Sequence, residues 1–227
     1  MSIIHALQGR CWRVRSAMHI RHEDARRDHS SVTPVTRGMV EALERRRLLS
    51  GSLPTSVHAS PDAQYTILAT GTAGAPAWSV TLTAGTFSFD ANVGAAGGDW
   101  QNLTLTVTGS ALVTFKARLT LYGLTLSGSA KAVAASSGGG AGGNLLIIGP
   151  GGLTMPEDPA FQYPTATLDL TDNDLILQGG GAAGLAHAFA LLRNGSRGGW
   201  TGNGVTSSDA AATGTGVGAA ALGVALN

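Results

Sequence analysis

Between Gln64 and Gly149 the sequence is a succession of short runs in which apolar and hydroxylated residues alternate, separated by pieces of glycine, serine and alanine. In NLTLTVTG (102–109), Leu103, Leu105 and Val107 fall on one side and Thr104, Thr106 and Thr108 on the other. That period of two belongs to a strand with one buried face. The texture recurs in YTILAT, WSVTLT (Trp78–Thr83), TFSFD (Thr86–Asp90), ALVTFKARLTLYGLTLSG (Ala111–Gly128), KAVAAS and NLLIIG (Asn144–Gly149). GAAGGD, SGSA, SSGGGAGG and GPGG lie between the runs. Leu119, Leu121, Leu124 and Leu126 continue the alternation, with Gly123 expected as a corner. Aromatics are only 5% of the chain and glycines number 33. Such a chain builds many thin layers of small and aliphatic side chains rather than one thick aromatic core. The expectation is an all-β fold, a parallel β-helix (solenoid) with a short C-terminal helix and a disordered N-terminal leader. No fixed repeat length is visible. A β-sandwich is the competitor, and its Asn-Gly or Asp-Gly hairpin signals are missing between these runs.

The stretch Ala166–Leu177, ATLDLTDNDLIL, reads as the last rung of the stack: strands Thr167–Leu170 and Leu175–Leu177 joined by an acidic turn, Thr171–Asp174. Asp169, Asp172, Asn173 and Asp174 are hard-oxygen residues of the kind calcium takes. Asp169 alternates with Leu168 and Leu170, however, and no loop glycine or closing glutamate follows, so an Asx-rich structural turn is expected. Before it, Leu153–Thr165 carries Pro156, Pro159 and Pro164, a loop that must leave the stack. After Gly179–Gly181 the period changes. Leu185, Ala188, Phe189 and Leu192 stand at helical spacing in AAGLAHAFALLRNG, with Arg193 in the last turn and Gly195 as the stop. Phe189 and Leu192 are expected to cap the open end of the stack, and His187 to sit on the surface.

Charge divides the chain unevenly. Residues 1–50 hold 10 Lys+Arg against 5 Asp+Glu, and residues 51–227 hold 5 against 9. A mildly acidic body argues against nucleic-acid binding. Cys11 is the single cysteine, so no internal disulfide forms. No run of about 18 apolar residues offers a transmembrane segment, and the first 50 residues lack the apolar core of an ordinary signal peptide. The four divisions expected are a basic leader with an export-like motif (1–52), a linker (53–63), the β-solenoid (64–178), and a helix with a Gly/Ala-rich end (179–227). The leader's His5, His19, His22 and His29 lack metal-ligand spacing and read as solvated. Met18 and Met39 are alternative starts.

Within the leader, MVEALERRRLLSGS (39–52) reads as a short amphipathic helix, with Glu41 and Glu44 preceding Arg45 and Arg47. Leu43, Glu44, Arg46, Leu48, Leu49 and Ser50 resemble the LE-x-R-x-LLS motif of exported proteins from planctomycete-type bacteria, with Arg45 where that group often has Pro. A second resemblance runs from Thr167 to Gly218. LDLTDNDLIL, a helix, and then Trp200, Gly202, Gly204, Val205, Ser207, Ser208 and Ala210 are similar to the C-terminal end of autotransporter-like β-helix proteins in the same bacteria. GGGAAG at 179–184 stands where those proteins commonly carry an aromatic. The sequence stops before the dockerin-like tail that often follows there, so no dockerin function is carried over. A truncated or frameshifted product of a larger gene is the expectation for that end.

The sequence assigns no catalytic, cofactor-binding or metal residues. A polysaccharide lyase or hydrolase needs clustered carboxylates, or bases beside acids, on one face. The body offers Lys116, Arg118, Lys131, Arg193, Arg197 and the Asp169–Asp174 cluster, with Lys116 and Arg118 expected on one strand face. Ser207 and Ser208 have no histidine partner in a suitable context. The resemblances imply an exported cell-surface or secreted module, structural or adhesive, whose partners are cell-envelope polymers or extracellular glycans. The alternatives are a remnant of a larger surface protein and a polysaccharide-binding or polysaccharide-degrading enzyme.

Overall fold

The computed structural model describes residues 52–72, 74–137, 144–213 and 222. The readings made on the basic leader, its histidines, Cys11 and the export-like motif lie outside them. The described residues are mainly strands with few helices, and the sheets mix parallel and antiparallel pairs. The strands are β1 (Val57–Ala59), β2 (Gln64–Ala69), β3 (Trp78–Ala84), β4 (Thr86–Phe89), β5 (Leu103–Val107), β6 (Leu112–Phe115), β7 (Leu119–Leu126), β8 (Lys131–Ala134), β9 (Leu146–Thr154), β10 (Glu157–Asp158), β11 (Tyr163–Pro164), β12 (Thr167–Asp169), β13 (Leu175–Leu177) and β14 (Gly204–Thr206). Helix α1 covers Gly181–Gly195, α2 is a kinked turn at Arg197–Trp200, and α3 is Ser208–Thr213.

Sheet I runs β1-β4-β6-β8-β12-β14 and sheet II runs β13-β9-β7-β5-β3-β2. From β3 to β9 the chain passes alternately between them, and each return lies parallel beside the previous pass. Antiparallel pairing is confined to β1–β4, β2–β3 and the small hairpin β10–β11. The link between β2 and β3 is a tight loop closed by the Thr72–Ala75 bridge, too short for the crossover that parallel neighbours need.

One set of corners is built from glycine. Gly85, Gly109 and Gly128 all have positive φ, at 88°, 63° and 65°, a conformation that costs residues with a Cβ. They stack: Leu112 N–H donates to the Gly85 carbonyl at 2.9 Å, and Ser129 N–H to that of Gly109 at 3.0 Å. Gly123 differs from its expected role. It sits within β7, where the register with β9 shifts between Leu121 and Gly123, and the strand continues through it.

The inward residues of both sheets form one core. Val80, Leu82, Leu103, Leu105, Val107, Leu119, Leu121, Leu124 and Leu126 face Phe87, Phe89, Val113, Phe115 and Leu168, all essentially buried. Each such aliphatic side chain contributes about 1.5–3 kcal/mol relative to exposure. Phe89 and Phe115 meet edge to face at 5.7 Å.

Three elements depart from the sequence reading. The expected linker contributes β1, whose Val57 is buried against the core. The stack does not end at β12, because β14 pairs with it in parallel, Thr167 opposite Gly204 and Asp169 opposite Thr206. Helix α1 forms as expected, with Ala188 inward, but it is rotated so that Leu191, Asn194 and Gly195 are also buried and Phe189 is 53% exposed. Leu192 does pack against the core. The reason is close approach: a side chain at Gly195 would run into the carbonyl of Val205, and one at Gly204 would press on that of Leu191. The seam between α1 and β14 needs small residues, so the bulky Phe189 points away.

Candidate functional site

Sheet II places one kind of chemistry on its outer side. The strand register lines up Thr66, Thr81, Thr106, Thr125 and Thr154 in a single column across five neighbouring strands. A second column runs Leu68, Ser79, Thr104, Gly123, Gly152. Neighbouring strands stand ~4.8 Å apart, and residues two apart along a strand ~6.7 Å, so the hydroxyls form a two-dimensional array. Threonine's β-branch restricts its side-chain rotation, which holds that array in place. None of the six strands contains a charged residue. Among the described residues, no hydrogen bond engages the hydroxyls of Thr66, Thr81, Thr104, Thr106, Thr125 or Thr154. At the margin of the column Ser127 Oγ donates to Thr108 Oγ1 at 2.9 Å, and Thr83 Oγ1 to the Gln64 carbonyl at 3.2 Å. Tyr122, 47% exposed, rests its ring against Gly151, where a Cβ would come within 2.8 Å of it.

The charged residues of the body are placed elsewhere. Lys116 and Arg118 are not on one strand face; both fall in the corner between β6 and β7. Lys116 Nζ pairs with Asp90 at 3.3 Å, and His58 Nε2 reaches the same carboxylate at 3.2 Å. Partial desolvation pulls the Asp90 carboxyl up. The Ser88 hydroxyl, then Lys116 and His58, outweigh it and hold the group below its ordinary value. Lys131 stands on sheet I, between Leu112 and Thr167. Arg193 lies in the last turn of α1, and Arg197 sits over the Tyr163 ring at 5.0 Å.

The acidic stretch 169–174 is the corner from β12 to β13, where Asp169, Asp172 and Asn173 bond backbone and hydroxyl groups. Asp169 Oδ1 accepts from Thr171 N–H at 2.9 Å and from Ser208 N–H at 2.8 Å. Asp172 accepts from the amide and hydroxyl of Ser137 and from the Ser136 hydroxyl. Asn173, 5% exposed, donates to the carbonyls of Ala135 (2.9 Å) and Leu170 (3.0 Å) and to Thr171 Oγ1 (2.7 Å). Thr171 takes a positive φ of 52°. The Asx-rich turn read from the sequence is what the structure contains. Among the described residues no three His, Cys, Asp or Glu side chains gather as a metal group.

Ser207 Oγ donates to the Thr171 carbonyl at 2.6 Å and accepts from Ala210 N–H at 3.0 Å, capping α3. Gly202 and Gly204 let the chain approach α1, and Val205 enters the core. The two C-terminal segments quoted above thus close on each other, 169–174 against 204–210. His187 lies on the surface as expected, with Nε2 3.2 Å from the Leu153 carbonyl in the half of β9 that β13 does not cover.

A search of protein-family models, curated proteins and solved structures finds no match to this chain. Among the described residues no helix is long and apolar enough to cross a membrane. What sequence reasoning missed is the column. Alternation along each strand is visible in the sequence. The alignment between strands depends on returns of unequal length, with hydrogen-bonded neighbours 19 residues apart at Thr108–Ser127 and 37 apart at Ala134–Thr171.

Proposed function

We propose that this chain is a parallel β-helix that serves as an exported, cell-surface or secreted module with a structural or adhesive role and no catalytic activity. The alternating passage between two sheets and the parallel neighbours from β3 to β9 support the coil over a sandwich, whose sheets are antiparallel. The observation that carries the functional reading is the uncharged, hydroxylated outer face of sheet II. Three carboxylates of the described body are instead engaged at corners: Asp90 with Lys116, Asp169 and Asp172 with backbone amides. A glycoside-cleaving site needs paired carboxylates across a substrate groove, and these carboxylates are occupied by their structural partners. The LE-x-R-x-LLS resemblance supports export.

The test is fractionation of the native organism with intact mass spectrometry of the product. A species in the envelope or medium that begins near Leu48–Ser52 is the expected result. A cytoplasmic product retaining Met1 overturns export.

A further inference from the structure

We propose that the outer face of sheet II binds an uncharged polysaccharide lying flat across its strands, with Tyr122 stacking on a sugar ring. The proposal rests on the adhesive reading above and names its ligand.

Three observations converge on that chemistry. First, the threonines present hydroxyls and methyls together, at a repeat of ~4.8 Å across strands. A sugar polymer likewise offers hydroxyls around its rim and C–H groups on its ring faces. Second, the hydroxyls of Thr66, Thr81, Thr106, Thr125 and Thr154 are engaged by no hydrogen bond among the described residues, so each is available as donor and acceptor. Third, Tyr122 is 47% exposed beside the Ser79–Thr104 column, and its ring leans on Gly151. Glycine there gives the ring a backbone support that any side chain would displace. An aromatic body with a polar tip suits a ligand that is apolar on its faces and polar at its edge. Leu68 and Ile176, also exposed, flank the array at opposite edges of the sheet.

Charge selects among polymers. An acidic glycan, or a nucleic acid, draws affinity from Lys and Arg, and sheet II has neither. A neutral polymer needs no counter-charge and leaves no buried ion unpaired on binding.

The experiment is depletion of the full-length protein from solution by microcrystalline cellulose, chitin, and calcium alginate as the acidic counterpart, with an ice-affinity step alongside. Thr106→Lys puts a charge at the centre of the column, Tyr122→Ala removes the ring, and Lys131→Ala alters the other sheet. Retention on cellulose or chitin is expected, weakened about tenfold by Thr106→Lys and by Tyr122→Ala and unchanged by Lys131→Ala. Circular dichroism and melting of each variant show that the fold is kept, and the exposed Tyr122→Ala carries the test if Thr106→Lys does not fold. No retention on either neutral polymer, retention on alginate alone, retention on ice alone, or binding indifferent to both variants overturns the proposal. Each of these leaves the localisation result untouched, so the two readings fail separately.

Discussion

Asn173 is the side chain on which the β12–β13 corner turns, and replacing it tests the account of that corner. Its amide donates to the carbonyls of Ala134, Ala135 and Leu170 and to the Thr171 hydroxyl while 5% exposed. Asn173→Ala removes one donor from each of these acceptors, but the Leu170 carbonyl keeps the backbone N–H of residue 173, the Ala135 carbonyl keeps Asn144 Nδ2 and the Ala134 carbonyl keeps the Thr171 hydroxyl, so the cost is that of lost bonds, about 0.5–1.5 kcal/mol each. The expected loss is about 2 kcal/mol. Asn173→Asp is the sharper change, since an ionised carboxylate would face the Ala135 and Leu170 carbonyl oxygens between Asp172 and Asp174. Burial and these like charges raise the folded carboxyl above its unfolded value of about 3.9. The protonated form, which keeps one donor, is therefore the form the fold favours. Its contribution is present below the unfolded pKa and is lost as pH rises through the folded one. The deficit of the Asp variant therefore grows as pH rises toward neutrality. Urea unfolding of the wild type and both variants from pH 3.5 to 8 measures it. The Asp variant should match or exceed the Ala variant in stability at low pH and fall below it at neutral pH. An Ala variant within 0.5 kcal/mol of wild type, or an Asp variant whose deficit does not change with pH, refutes the reasoning.

Two other tests address neighbouring parts of the fold. Gly195→Ala drives a methyl into the Val205 carbonyl and should cost about 3 kcal/mol in thermal melts, whereas Gly74→Ala, with open space around its Cβ, should stay within about 0.5 kcal/mol. For the Asp90 cluster, Lys116→Ala should move the carboxyl titration, followed by NMR, upward toward the ordinary aspartate value; in the wild type the stabilisation from the depressed carboxyl is present above the unfolded value and lost as pH falls.

The strands were legible because burial on one face imposes a period of two, and Leu103–Val107 and Leu119–Leu126 carry it without interruption apart from the bulge at Gly123. The corners were legible in kind but not in length, since a return can be as tight as Gly85 or as long as the excursion through Pro156 and Pro164. That irregularity hid the threonine column, which exists only once strands are aligned. β14 has three residues in a glycine-rich context and shows no period of its own. The inward face of α1 was misjudged for a related reason. Hydrophobic spacing favoured Phe189 beside Ala188, while packing against β14 at the distance set by Gly204 selected Leu191 and Gly195. Close approach rewards the absence of a side chain, and a hydrophobic pattern cannot register that.

The neighbour-to-neighbour pairing also sets how this body answers a pull. From β3 to β9 each pass bonds only to the passes on either side of it, with the bonds directed across the strands. Tension applied between the two ends of such a series loads its layers one after another, so they peel singly instead of shearing together. Each released layer pays out a length of chain while the rest stays folded. At the far end the load meets a clasp of a different kind, where Asp169, Thr171 and Ser207 tie 169–174 to 204–210. A body built this way yields by increments.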